Sequence, residues 1–418
     1  MRSHRFSYRT SFGEKTVNLD IPESFDLDII GPGEKKGKTD IFQGIKLDIS
    51  RQDRVFFIVN DAKRPFIAPR ILETITPRVI NNQNFYFMIA TGSHYPPTKK
   101  ELGDIFGKAI YSNIKNRVLV HDARRSETVY MGRSSRGTDI YINRAVLDFD
   151  WIVTIGSIEP HYFAGYTGGR KSLVPGICGF KTIEQNHSLA REEGSRILKL
   201  EGNPLHQDLM ECTRIVLNNL RTRRNPRIVA INAVTAGEKI YHVRAGELLT
   251  SLDPLIDRVN ALYLRKVADR KDLLIAIAGF PLNKDLYQGL KAFENGKSVL
   301  NDGGIFILVA ECDQGLGPLH FDTLLQDYRD EREFLAKVKK KFSLSSHKLI
   351  NLLRFLAKNN QIYLVSGLAR EKINPAFFRD FKNLQLAFDE AVMDLAKKGI
   401  KYPKILAIND AANIVSQV

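Results

Sequence analysis

Residues 157–179 read SIEPHYFAGYTGGRKSLVPGICG, which brings His161, the pair Gly168 and Gly169, and the basic pair Arg170 and Lys171 close together. An imidazole exchanges protons near neutral pH, and His161 stands beside a proline that stiffens its backbone. His94 has the same setting in TGSHYPP. Each of the two reads either as an acid/base group or as a structural loop histidine. Amides at Gly168 and Gly169 can approach an anion closely, with Arg170 and Lys171 supplying charge, although a tight turn carrying two solvated cations gives the same pattern. The order is not that of a phosphate-binding loop, because Arg170 intervenes between the glycine and Lys171.

His187, in FKTIEQNHSLA, lies on a predicted helix without a second histidine or a carboxylate at metal-binding spacing. Alone it reads as a surface histidine, unless a non-protein ligand brings the other donors. Asp61 and Arg64, in NDAKRP, follow an apolar run; Arg64 either forks a carboxylate or forms a surface ion pair. Tyr287, Gln288 and Lys291 fall near one face of a predicted helix, a spacing that ordinary amphipathic patterning also produces.

The elements that must position these groups are legible as apolar runs ending in polar residues. RVFFIVN, NFYFMIA, RVLV, WIVTIG and RIVAINAV read as buried strands. Helical patterns lie between them at 69–79, 99–110, 182–193, 202–220 and 252–263. The reactive groups thus sit where strand ends open into loops. A hairpin is predicted around Gly13 and Glu14, followed by the polar stretch GPGEKKGKT. A charged break at 266–272 marks a domain boundary, beyond which LLIAIAG, GGIFILVA and QIYLVSG are further strands, with helices at HKLINLLRFLAKN and 387–397. The expected fold is α/β with two domains, each a largely parallel sheet flanked by helices, and an active site in the cleft between them. The expected spans are 1–266 for the catalytic and cofactor-binding domain, 267–400 for a domain closing the cleft, and 401–418 for a tail returning to the first.

The chain has 418 residues, 43% hydrophobic, with a formal net charge of +15. No apolar run is long enough to cross a membrane, and the first residues lack an apolar signal core, so a cytoplasmic protein is expected. Cys178, Cys212 and Cys312 are far apart and read as buried thiols rather than a disulfide framework or zinc knuckle. The basic clusters at 35–38, 221–227 and 337–341 lack interleaved aromatics, and a solvated surface is favoured over nucleic-acid binding.

In order along the chain, NDAKRP, ATGSHYP, EPHYFAGYTGGRKSLVPG, FKTIEQNH and YQGLK resemble the nickel-pincer lactate racemases and their relatives, enzymes of 2-hydroxy acids; the PHYFAGYTGGRK string is highly specific. The resemblance implies that Lys171 tethers the nickel-pincer nucleotide, a pyridinium-3-thioamide-5-thiocarboxylic acid mononucleotide, with Gly168, Gly169 and Arg170 beside it. It makes His187 the single protein ligand to Ni(II), the cofactor supplying one carbon and two sulfur donors. His94 and His161 become paired acid/base residues, one for each enantiomer. Arg64, Gln288 and Lys291 bind and position the carboxylate, Tyr287 lines the pocket, and Asp61 supports the acid/base region.

The implied reaction is racemisation or epimerisation through hydride transfer and a 2-keto acid intermediate. The implied partners are a small anionic 2-hydroxy acid and the proteins that make and load the cofactor. Two departures favour a substrate other than lactate, larger or more acidic: Lys63 stands where the family commonly has threonine, and the only tryptophan, Trp151, lies in a strand of the first domain. Two rival readings are a zinc hydrolase or lyase using His94, His161 and His187, and a non-enzymatic nucleotide or RNA binder.

Overall fold

The structure is a computed structural model that describes residues 1–10, 13–31, 47–75, 81–236, 239–340 and 342–418. The polar stretch at 32–46, residues 76–80 of the predicted helix 69–79, and the end of the basic run at 341 lie outside the described residues. The chain divides into two compact units, one of residues 36–261 and one of residues 1–35 together with 262–418.

The first unit is built on a six-stranded sheet ordered Lys239–Gly246, Arg227–Ala236, Trp151–Ile158, Val55–Asn60, Phe85–Ala90, Val118–Val120. All neighbours are parallel except the pair formed by the first two strands. Every residue of Trp151–Ile158 is buried, as are Val55 to Val59. Helices and loops cover both faces of a parallel sheet, so its strands read as continuous apolar runs rather than alternating ones. From Val55–Asn60 the chain moves outward through Phe85–Ala90 to Val118–Val120, then returns to the other side of Val55–Asn60 as Trp151–Ile158. That reversal opens a crevice at the carboxyl ends of these two strands, where ligands of open α/β sheets bind.

Around this sheet the predicted helices form with altered ends. The span 99–110 is two helices, Lys99–Phe106 and Lys108–Ile114, separated by Gly107 at φ 76°. The span 182–193 is the helix Phe180–Ser188 followed by a 3-10 turn. An antiparallel hairpin of Thr128–Arg133 and Asp139–Asn143 was not predicted.

In the second unit all six strands are parallel, ordered Arg379–Phe381, Gln361–Val365, Leu300–Val309, Lys271–Ile277, Lys404–Asn409, Asp26–Ile30. Two expectations are corrected here. The tail does not return to the first domain, because Lys404–Asn409 pairs with Lys271–Ile277 inside this sheet. The N-terminal segment belongs to this unit as well. Its strand Asp26–Ile30 forms the sheet edge, and its hairpin, Arg2–Thr10 against Gly13–Ile21, buries Phe6, Tyr8, Leu19 and Ile21 in one core with Leu273 and Ile275. Strand pairing is nonlocal, so an apolar run identifies a buried strand without naming its neighbours.

Candidate active site

The carboxyl ends of the central strands in the first unit converge on a pocket that encloses about 680 Å³ including its open mouth. Asn60, Asp61 and Arg64 enter it after one strand, Thr91 to His94 after the next, and Ser157 and His161 after the third. Gly168, Lys171 and Ser172 come from the loop and short helix that follow, and His187 from the helix Phe180–Ser188.

Asp61 is 6% exposed and its Oδ2 lies 2.5 Å from His94 Nδ1. Burial alone would raise its pKa. The charge and hydrogen bond of His94, with the Arg64 guanidinium and the Lys63 amide, overcome that and hold the carboxyl below its ordinary value. A carboxylate only accepts, so Nδ1 carries the proton and Nε2 is the nitrogen left to exchange one. His161 is 9% exposed; it accepts from the Ala164 amide at Nδ1 (3.4 Å), stacks on Tyr162 and meets Phe163 edge-on at 4.4 Å.

Phe163, to which the sequence analysis gave no role, is the hub of this region. Its ring also meets His187 edge-on at 5.0 Å and lies 5.6 Å from Lys171 Nζ. Its signal in the sequence is its place two residues after His161. Lys171 has no acidic partner among the described residues, and its amine is held well below the ordinary lysine value by burial first, then by Arg64 and Arg170. His187 is pushed down to about 3, again by burial first and then by Lys171 and His94, so its imidazole is neutral in ordinary buffers. Its buried Nδ1 makes no hydrogen bond of good geometry, and the Ile183 carbonyl one turn back is the group that favours its charged form.

The glycine-rich turn differs from the anion cradle. Gly168 lines the pocket at φ 122°, a region that disfavours other residues. Gly169 does not line it. Its amide donates to Asn232 Oδ1 at 2.7 Å, and a Cβ there would meet Thr154 Oγ1 at 2.5 Å. Arg170 also turns away. It is 2% exposed and donates to the carbonyls of Thr167 (3.0 Å) and Tyr166 (3.3 Å) and to His206 Nδ1 (3.4 Å). These two residues hold the turn, because a helix starting at the strand end directs one side chain of each turn outward and the next inward.

Arg64 is partly committed: its Nη1 donates to Glu159 Oε2 at 2.8 Å. Glu159 also accepts from Ser157 Oγ (3.2 Å), and its amide donates to Thr167 Oγ1 (2.8 Å), which ties the pocket rim together. Glu159 was legible only as a carboxylate two residues before His161. Tyr287, Gln288 and Lys291 lie in the other unit on the helix Leu286–Gly296, where Asp285 accepts from the Gln288 amide at 2.8 Å.

The family model for the lactate racemase N-terminal domain matches residues 12–197, and that for the lactate racemase C-terminal domain matches 268–415. The chain belongs to the lactate racemase family. The lactate racemase of Thermoanaerobacterium thermosaccharolyticum is 29% identical over 341 residues, covering 79% of this chain and 75% of that protein. The lactate racemase of Lactiplantibacillus plantarum is 30% identical over 288 residues, 67% of this chain and 65% of the relative. Among solved structures, the lactate racemase apoprotein from T. thermosaccharolyticum superposes with a TM-score of 0.83 at 24% identity, covering 99% of this chain and all of that one. A Thermotoga maritima protein has the same fold, with a TM-score of 0.68 at 14% identity over 88% of this chain and 94% of that one. Membership in the lactate racemase family makes the chain an isomerase that acts on a hydroxy acid. No helix among the described residues is long and apolar enough to cross a membrane.

Proposed function

We propose that the chain racemises or epimerises a 2-hydroxy acid by hydride transfer to and from a nickel-pincer nucleotide, through a 2-keto acid. One observation carries this reading. An amine without an acidic partner, Lys171, and a neutral imidazole with an unsatisfied nitrogen, His187, line one pocket with the Asp61–His94 pair and His161. These residues fit the cofactor. A depressed amine is a nucleophile able to form a covalent tether, and a neutral imidazole binds a metal without first losing a proton. Gly168 lets the backbone approach the group. When bound, the nucleotide with its Ni(II) supplies the hydride acceptor and donor.

The rest falls to side chains of this chain. His94 Nε2, with Nδ1–H held by Asp61, takes the hydroxyl proton of one enantiomer, and His161 serves the other. As the hydride leaves C2 the 2-keto acid forms, and the histidine on the opposite side returns a proton to the carbonyl oxygen when the hydride is delivered to the other face. Arg64 keeps guanidinium N–H groups beyond the one given to Glu159, and these meet the substrate carboxylate. Tyr287, Gln288 and Lys291 are assigned to substrate binding as part of the same proposal.

Zinc chemistry on protein donors alone gains no support, since the described residues contain no group of three His, Cys, Asp or Glu able to hold a metal. The deciding experiment produces the protein together with the cofactor-making proteins. The expected result is a mass increment that requires Lys171, about one nickel per chain, and deuterium at substrate C2 retained in the racemised product. Washout of that label into water would refute hydride transfer, and zinc in place of nickel would refute the cofactor.

A further inference from the structure

Four consecutive polar residues, Ser345, Ser346, His347 and Lys348, are 1%, 0%, 2% and 1% exposed at the start of the 11-residue helix Ser346–Leu356 in the second unit. A serine at the N-cap position ordinarily turns its hydroxyl onto the helix amides. Ser345 occupies that position with φ 78° and makes no such bond. Neither Ser345 Oγ nor Ser346 Oγ has a hydrogen-bond partner, although buried hydroxyls are nearly always satisfied. Two buried donors therefore lie at the positive end of a helix, the arrangement that receives anions.

A cation stands with them. Lys348 Nζ lies 4.5 Å from the centre of the Tyr287 ring. Burial lowers its pKa to about 8, with Lys297 adding to the depression and Glu294 and Asp285 opposing it, so the ammonium remains mostly charged at neutral pH. The two acids have other duties. Glu294 accepts from Lys297 Nζ at 2.6 Å and Asn351 Nδ2 at 2.9 Å, and Asp285 caps the helix that carries Tyr287 and Gln288. The cluster thus adjoins the two residues of this unit assigned above to the substrate pocket, Tyr287 directly.

We infer that Ser345, Ser346 and Lys348 bind a second anionic group of the substrate, carboxylate or phosphate, so that this chain turns over a dianionic 2-hydroxy acid in preference to lactate. The inference rests on the racemase reading for the identity of the ligand, and on the buried serine hydroxyls for the site. A cluster that merely shapes the fold around ordered water would bind no dianion.

The test compares lactate, 2-hydroxysuccinate and 2-hydroxy-3-phosphopropanoate as substrates of the cofactor-loaded enzyme. At least one dianion is expected to show a kcat/KM tenfold or more above that of lactate, and the comparison between the two identifies the anionic group. That preference is expected to fall at least tenfold, through KM, in Ser346→Ala and in Lys348→Met. Lactate turnover equal to or better than both dianions overturns the inference and leaves the racemase reading intact. If no hydroxy acid is turned over, the racemase reading is what fails, and calorimetric titration of the apoprotein with the two dianions decides the site. A dissociation constant weakened at least fivefold in folded Ser346→Ala supports it; equal binding in the two proteins, or none in either, overturns it.

Discussion

Because a carboxylate has no proton to give, the 2.5 Å contact of Asp61 with His94 Nδ1 selects one tautomer and aims Nε2 at the pocket. Asp61→Asn keeps the shape and removes that selection. Steady-state racemisation by the variant is expected to show kcat reduced on the order of 100-fold or more with KM little changed, since general acid–base assistance contributes about 10²–10⁴-fold. A second prediction concerns His206, whose pKa is pushed down to about 3 by burial and by Arg170, Lys171 and Arg214. The unfolded chain takes up this proton near pH 6.5 and the folded chain does not, so stability is fully present above that value and is lost as pH falls toward 3. His206→Gln keeps an acceptor for Arg170. In urea unfolding of the apoprotein at pH 5, it is expected to recover on the order of 1 kcal/mol relative to its effect at pH 7, less than full burial would give because the ring is partly exposed.

At the scale of elements, the helix Phe180–Ser188 owes its position to polar docking. The unpredicted hairpin holds one side: the Tyr141 amide donates to Thr182 Oγ1 and the Asp139 amide to Gln185 Oε1, each at 2.8 Å. On the other side Asp208, fully buried on the helix Pro204–Arg223, accepts from Asn186 Nδ2 and Thr138 Oγ1, both at 2.8 Å, and from Ser134 Oγ. Asn186 is the neighbour of His187, so Asp208 fixes the element that offers the imidazole. Asp208→Ala leaves three buried donors unpaired, and each unsatisfied group costs about 1–3 kcal/mol. Urea unfolding should show a loss of about 3 kcal/mol or more, and nickel titration of the folded fraction an affinity about 10–100-fold weaker, the usual cost of disturbing residues that orient a metal ligand.

For the whole molecule, the N-terminus and C-terminus form one unit around a single parallel sheet. Phe6, Tyr8, Leu19 and Ile21 are nearly fully buried in its core, and burying each such side chain is worth about 1.5–3 kcal/mol. Their joint loss, on the order of 6–12 kcal/mol, is comparable to the entire stability of an ordinary domain. Deleting residues 1–31 also bares the edge of the strand Lys404–Asn409. The fragment 262–418 is therefore expected to aggregate when produced alone and to become soluble, with native-like circular dichroism, when the segment 1–35 is supplied.

The sequence alone determined the strands and the loops that follow them, because WIVTIG, VFFIVN and LLIAIAG have apolar runs that only a doubly covered parallel sheet accounts for. It also determined the family, through strings such as PHYFAGYTGGRK whose order survives without knowledge of contacts. What it left open depends on groups distant in the chain. Tertiary structure decided that Lys404–Asn409 and Asp26–Ile30 share the second sheet, and that Arg170 and the Gly169 amide serve the turn rather than the pocket. It decided that Phe163 joins His161, Lys171 and His187, and that Asp61 holds His94. Burial and partnership fix the direction of a side chain and the charge it can carry, and neither is a property of the residue type.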